Sequence, residues 1–251
     1  MKFQLTKMKN YFFLAILFLF ASSDLIGQEV FDLIEKKDYS TLKQKLENGM
    51  ETEQFNEKGL TPLWMAVFKN DTTVVNLLLN NGADINYPEE KGMHPIMVGC
   101  IANSVESVKI LLENGVDVNW KSKASRNQQP IRFASQGGSL ELVKLLLRYG
   151  ADMESTPDDK GTPLLASLHA GKFDIAKFYF ENGASVNAIG RDGECIIHEA
   201  IKTKNADMVK LALEREAPLD LIDPDGKTTW QLAKKSGNSE IKRLIKIALE
   251  K

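Results

Sequence analysis

The sequence LLLNNGADIN, residues Leu77–Asn86, recurs three times in closely related form. The related stretches are LLENGVDVN (Leu111–Asn119), LLRYGADME (Leu146–Glu154) and FYFENGASVN (Phe178–Asn187). The phrase is marked by the glycines Gly49, Gly82, Gly115, Gly150 and Gly183, which are separated by 33, 33, 35 and 33 residues. Glu216 follows after another 33 residues. Self-similarity at such a period is the mark of a protein built from stacked repeats.

A second series of residues shares this period. It consists of the pairs Thr61-Pro62, His94-Pro95, Gln129-Pro130 and Thr162-Pro163, followed by Cys195 and Thr228. A threonine oxygen can cap a helix, and proline suits the first helical position because its missing N–H is not needed there. The series therefore predicts where the first helix of each repeat begins.

Each repeat is predicted to hold two helices. Apolar residues at helical spacing, such as Leu63 and Val67, follow the first cap, and a polar break at Asn70 separates them from a second amphipathic run. That run ends at Gly82, because glycine readily takes the left-handed conformation that closes a helix. One repeat is too small to bury its own apolar faces, so neighbouring repeats must cover them.

Two phrases carry a resemblance to a known family. GLTPLWMAV (Gly59–Val67) and LLNNGADIN (Leu78–Asn86) are similar to the phrases GxTPLHxAA and LLxxGADVN of ankyrin repeats. The resemblance covers nearly everything after residue 27. It implies an all-α solenoid of about seven helix-turn-helix units with short β-hairpin loops, at about 28–55, 56–88, 89–121, 122–156, 157–189, 190–222 and 223–251.

Two departures from the repeat pattern carry expectations of their own. In the unit 190–222, Cys195 and Ile196 replace the Thr-Pro pair and Glu216 replaces the closing glycine, so its ends are expected to be looser or longer. Two extra residues near Ser122–Ser125 fall in a connecting loop, where insertions cost little, and this loop is expected to protrude.

Residues 1–27 have the layout of a signal peptide. Lys2, Lys7 and Lys9 precede eleven apolar residues, YFFLAILFLFA. The alternatives are an uncleaved membrane anchor and a buried helix, but a spanning helix needs roughly 20 apolar residues. Cleavage after Ser23 or Gly27 fits the small residues there. Gly27 is favoured because counting 33 residues back from Thr61 reaches Gln28, where the first repeat begins. The signal-peptide layout predicts a protein exported to the periplasm or secreted.

Charge and motifs exclude several classes of function. Without residues 1–27 the chain keeps 29 basic and 33 acidic residues, which is not the basic excess of a nucleic-acid-binding protein. The sequence lacks HExxH, paired CxxC, GxSxG and GxxxxGK motifs. It therefore predicts a protein without enzymatic activity, and without a cofactor or metal.

The few histidines and cysteines also favour structural roles. The resemblance gives His198 the place of the TPLH histidine, whose role is a structural hydrogen bond, and His94 falls at a helix cap. Cys100 and Cys195 lie three units apart, on the order of 30 Å at helix spacings of 8 to 10 Å, too far for a disulfide. Both cysteines are predicted to be small core residues.

What remains is a binding surface. In ankyrin stacks the first helices and hairpin tips form a concave groove, and one first-helix position here changes from apolar to polar: Phe68, Ile101, Gln136, His169, Lys202, Lys235. Tyr87 and Trp120 occupy equivalent sites near the hairpin tips. The predicted protein-binding residues are Leu60, Phe68, Tyr87, Met93, Ile101, Trp120, Arg126 and Gln136. The alternative is that these side chains fold inward and complete the core.

The sequence thus predicts a monomeric, non-enzymatic scaffold or inhibitor that binds another envelope or secreted protein through its concave face. The resemblance to a family of binding modules carries this expectation. The alternative is a structural spacer, held at a membrane by an uncleaved N-terminal helix. The first residue of the mature protein separates the two, because a start at Gln28 excludes the anchor.

Overall fold

The computed structural model describes residues 28–87, 94–123 and 126–251. Within these residues the chain forms fourteen helices and no strands. They are α1 (28–36), α2 (Tyr39–Glu47), α3 (Pro62–Phe68), α4 (Thr72–Asn80), α5 (Pro95–Ala102), α6 (Val105–Glu113), α7 (Pro130–Gly137), α8 (Leu140–Arg148), α9 (Pro163–His169), α10 (Phe173–Glu181), α11 (Ile196–Lys202), α12 (Ala206–Glu214), α13 (Thr229–Lys235) and α14 (Ser239–Leu249).

The helices form seven successive pairs arranged in two layers. From α3 to α13, each first helix of a pair packs on the first helix of the next pair, and from α2 to α14 each second helix packs on the next second helix. The apolar core lies between the layers and continues from pair to pair. This arrangement confirms the predicted all-α repeat solenoid, while the exact bounds of the units stay predictions.

The described loops between pairs lack the paired strands of the expected β-hairpins. In the described residues they hold single antiparallel bridges, Ser122 with Gln128, Ile189 with Cys195 and Ile222 with Thr228. Of the predicted two-residue insertion, residues 124 and 125 lie outside the described residues, as does Met93. The same holds for residues 1–27, so the predicted signal peptide and its cleavage site stay predictions. None of the described helices has the length and apolar character needed to cross a membrane.

The predicted helix starts are confirmed by cap contacts. The Thr61 hydroxyl accepts a hydrogen bond from the Trp64 N–H (3.2 Å), and the Thr162 hydroxyl accepts one from the Leu165 N–H (3.3 Å). A proline follows each threonine at the first helical position. Caps of this kind stabilise a helix by about 1 kcal/mol each.

The helix ends are also confirmed, with one correction. The five glycines that close second helices have φ between 82° and 88°. Glu216 takes their place after α12 and adopts the same left-handed conformation, with φ at 59°. The expectation of longer ends in this unit is wrong, because α11 and α12 have the seven and nine residues found in neighbouring pairs. The Glu216 N–H donates to the Leu213 carbonyl and the Ala217 N–H to the Ala212 carbonyl (both 3.0 Å), and these bonds close the helix although the conformation costs an ordinary residue roughly 1–2 kcal/mol.

Side chains tie each repeat to the next one. The Asn70 carbonyl Oδ1 accepts a hydrogen bond from the Ser107 N–H of the following repeat (3.0 Å), and Asn103 Oδ1 accepts one from the Ser139 N–H (2.9 Å). Both asparagines have positive φ, which turns their side chains across the junction. The asparagine of the single sequon, Asn70-Asp71-Thr72, is therefore engaged in the fold.

The core also contains the hydroxyl of Tyr179 and the thiols of two cysteines. Tyr179 is fully buried, and its hydroxyl lies 2.7 Å from the Ser135 hydroxyl, which itself donates to the Ile131 carbonyl. Cys100 and Cys195 are free and buried, and burial raises the pKa of both thiols. The prediction of two unbridged core cysteines is confirmed.

Candidate protein-binding surface

Two of the predicted binding residues are exposed apolar side chains on neighbouring first helices. Phe68, at the end of α3, is 51% exposed, and Ile101, near the end of α5, is 41% exposed. Since α3 packs directly on α5, these equivalent positions belong to one surface. We call the surface made by Phe68, Ile101, Gln136, His169, Lys202 and Lys235 the first-helix face.

Trp64 completes the apolar part of this face, and sequence reasoning missed it. Its ring stacks on the Phe68 ring, with centroids 5.2 Å apart and an angle of 12° between the planes. Trp64 occupies the position of the histidine in the TPLH phrase. This replacement was the sequence feature that could have identified Trp64 as part of the surface. The stack gives Phe68 a fixed backing, and a partner would therefore meet an ordered aromatic surface.

The aromatic residues near the hairpin tips are less exposed than Phe68. Tyr87 is half-buried and lies 5.8 Å from the Phe55 ring, and Trp120 is half-buried against His94, with ring centroids 4.5 Å apart. Each of these rings packs against a neighbouring ring and keeps part of its surface in contact with solvent. The alternative that the predicted residues fold inward thus holds in part for Tyr87 and Trp120, and does not hold for Phe68 and Ile101.

The other predicted residues are spread along the stack. Leu60 is half-buried, and its N–H donates to Asn56 Oδ1 within the loop before α3 (3.0 Å). Arg126 is exposed, and its carbonyl accepts a hydrogen bond from the Asp158 N–H of the next loop (3.1 Å). Gln136 is half-buried at the end of α7. Leu60 lies in the second repeat, Arg126 and Gln136 lie in the fourth, and their role in binding stays a prediction.

The later part of the first-helix face is charged. The nearly buried Glu199 carboxylate lies 3.0 Å from His169 Nε2 and 2.7 Å from Lys202 Nζ. Burial alone would raise the pKa of Glu199, but hydrogen bonds from His169 and Lys202 outweigh it and hold the pKa below its usual value. The face is therefore divided into an apolar part on α3 and α5 and an ionic part on α9 and α11.

His94 and His198 lie beneath the loops in buried positions. The His198 Nε2 lies 3.0 Å from the Thr229 hydroxyl, which in turn donates to the Leu219 carbonyl. His198 Nε2 must then carry the proton, in agreement with a structural hydrogen bond. Burial lowers the pKa of His198, and it lowers the pKa of His94 to about 4 against the opposing influence of Asp117 and Asp84. Both rings are held neutral at neutral pH.

Three exposed apolar residues at the loops were also missed. Phe55 is 38% exposed, Ile189 45% and Ile222 60%, and they occupy equivalent positions of the 33-residue period. Aligning the repeats at this position would have found them.

In the ranges 28–87, 94–123 and 126–251, no group of three His, Cys, Asp or Glu side chains has an arrangement suited to a metal ion.

Comparisons with known proteins agree with this architecture. The sequence profile described as ankyrin repeats (3 copies) matches residues 31–122 and 165–250. The crystal structure of an ankyrin repeat domain from Acinetobacter baumannii is similar, with 30% identity and a TM-score of 0.67, over 74% of this chain and 97% of that one. The human ASB11 ankyrin repeat domain is 23% identical, with a TM-score of 0.75, over 87% of this chain and 96% of that one.

The comparison with curated proteins finds no match. The repeat profile covers more than half of the chain, and its bounds include the Thr61 cap, four of the five closing glycines and the apolar part of the first-helix face. The protein therefore belongs to the ankyrin-repeat family.

Proposed function

We propose that this protein is an exported, non-enzymatic scaffold or inhibitor that holds another protein on its first-helix face. Ankyrin repeats are generally protein–protein interaction modules, and this family role supports binding as the function. The observation that carries the choice of surface is the exposure of Phe68 and Ile101 at equivalent positions of adjacent helices. Exposed apolar side chains gathered on one surface are typical of interaction sites.

The chemistry of the face supports a protein partner with a corresponding apolar patch. Burying Phe68 and Ile101 would remove a large apolar area from water, at roughly 25 cal/mol per Å². The stacked Trp64 ring orders Phe68 before binding, so less side-chain entropy is lost in the complex. The ionic part around Glu199 would set the orientation of the partner, because charges at the border of an interface contribute specificity.

A paired substitution tests this function. Phe68→Asp with Ile101→Asp places two charges on the face without touching the core, so circular dichroism should show unchanged helical content. The partner should be captured from envelope extracts by the native chain and lost by the variant. Ile247→Asp with Leu249→Asp is the matched control, because these residues are also exposed, at 43% and 48%, but lie on α14. Capture of the same partner at native strength by the Phe68 and Ile101 variant would refute the proposal.

Export is proposed from the layout of residues 1–27. N-terminal sequencing of the mature protein tests it, and a chain that starts at Gln28 is expected. A mature chain that still begins at Met1 would contradict export with cleavage and favour the membrane-held spacer.

A further inference from the structure

The second helices carry a recurring ion pair, and in one repeat a cation replaces its glutamate. In four of them a lysine faces a glutamate one turn later, with N–O distances of 3.7 to 4.0 Å: Lys43–Glu47, Lys109–Glu113, Lys177–Glu181 and Lys210–Glu214. At the equivalent positions α8 has Lys144 and Arg148. Neither forms an ion pair within the described part of the chain. Exposed pairs of this kind add little stability, so the main effect of the exchange is to place two positive charges without an ion-pair partner on one helix.

These two charges border an apolar groove. The groove lies between α8 and α10, has a volume of about 850 Å³ and is open to solvent. Its apolar surface is formed by Leu140, Leu147, Met153 and Phe178, and its border by Glu141, Lys144, Arg148 and Asn182. We call these eight residues the second-helix groove. Lys144 Nζ lies 5.3 Å from the centre of the Phe178 ring, which places a cation directly over the apolar wall.

The neighbouring groove between α10 and α12 shows what is distinct here. It measures about 380 Å³, and its lysines, Lys177 and Lys210, each have their glutamate partner one turn later. The lining of the second-helix groove holds one carboxylate, Glu141, and two cations, Lys144 and Arg148. The surface thus combines a larger apolar area with a net positive border.

We propose that the second-helix groove docks an amphipathic helix of a partner protein, with acidic side chains along the edge of the helix's apolar face. Two nine-residue helices form walls roughly 13 Å long, enough for about two and a half turns of an incoming helix. Apolar side chains spaced three and four residues apart would fill the groove, and Met153 can adapt its shape to them. Lys144 and Arg148 complement the acidic edge.

This surface is separate from the first-helix face, because it lies on the other helix layer. The inference therefore does not depend on the proposed function. A protein with both surfaces would bring two partners together.

Fluorescence anisotropy with the purified full chain tests the proposal. The probe is a labelled synthetic helix of about 15 residues, with leucines on one face bordered by glutamates, and its control is the same peptide with lysines for glutamates. We expect the acidic peptide to bind and the basic one not to bind. Added salt should weaken the binding, since exposed charges are screened.

Two single substitutions sharpen the test. Arg148→Glu restores the Lys–Glu pair that other repeats use, so folding is expected to be kept while affinity for the acidic peptide falls roughly tenfold or more. Arg215→Glu makes the same change of charge at the end of α12, outside the groove, and should keep native affinity. The Phe68→Asp and Ile101→Asp chain should also keep it, which separates this inference from the proposed function.

Several results would overturn the proposal. They are no binding of the acidic peptide, equal binding of the basic peptide, or native affinity in the Arg148→Glu chain. Binding to phosphatidylglycerol vesicles that requires Arg148, without peptide binding, would assign the groove to an anionic lipid surface instead. Dimerisation that requires Arg148, measured by sedimentation, would assign it to a second copy of this chain.

Discussion

Replacing His94 should remove a large part of the acid sensitivity of this protein. The ring is fully buried against Trp120, and burial lowers its pKa from 6.5 to about 4. In the unfolded chain the same ring binds a proton near its ordinary pKa. The unfolded state therefore takes up a proton first as the pH falls, and stability present above about pH 6.5 is lost progressively down to about pH 4.

The magnitude follows from the two pKa values. Each pH unit in this window costs up to 1.36 kcal/mol, so His94 accounts for a loss of about 2 kcal/mol between about pH 7.5 and pH 5, and about 3 kcal/mol once both states are protonated. His94→Thr removes the titration and installs the residue that caps α3 and α9. The loss of the Trp120 contact lowers stability equally at every pH.

Urea denaturation followed by circular dichroism measures this effect. The free energy of unfolding is determined for both chains at neutral and acid pH, and only the change with pH is compared. We expect the native chain to lose about 2 kcal/mol more than the variant by pH 5. His198 and the carboxylates are present in both chains and cancel. An equal loss in both would refute the conclusion that His94 is held neutral by burial.

Three further substitutions test the fold by their effect on the midpoint of urea unfolding. Glu216→Gly should stabilise by about 0.5–1 kcal/mol, since glycine avoids the strain of positive φ but costs more chain entropy; an unchanged or lower midpoint would contradict this. Ser135→Ala should destabilise by about 1–3 kcal/mol because it leaves the Tyr179 hydroxyl buried without its partner, and adding Tyr179→Phe should recover part of that loss. Thr162→Ala should cost about 1 kcal/mol by removing the cap of α9, and a change below measurement error would argue against the cap.

The helices were predictable because their ends are set by local chemistry. A threonine oxygen caps the N–H groups after it, and a glycine after the last turn takes positive φ without strain, so these ends appear in the sequence as fixed letters at a fixed spacing. Glu216 shows the limit of such reasoning. It closes α12 with the same backbone hydrogen bonds as the glycines, although its residue type alone does not favour positive φ.

The surfaces were less predictable, because exposure depends on what neighbouring helices cover. Phe68 and Trp120 both read as exposed aromatic residues, yet Trp120 packs against His94 while Phe68 remains half exposed on Trp64. The second-helix groove was missed for a different reason. Its signal is the replacement of a glutamate by Arg148, which becomes visible only when the repeats are compared position by position.

Site-specific photocrosslinking in the native host tests the central claim most directly. A photoreactive amino acid is placed at Phe68, at Ile101 and, as a control, at Ile247 of the full-length chain. The account predicts that the first two positions crosslink to the same protein and that position 247 does not. Crosslinking of that protein at position 247 with none at positions 68 and 101 would contradict the assignment of partner binding to the first-helix face.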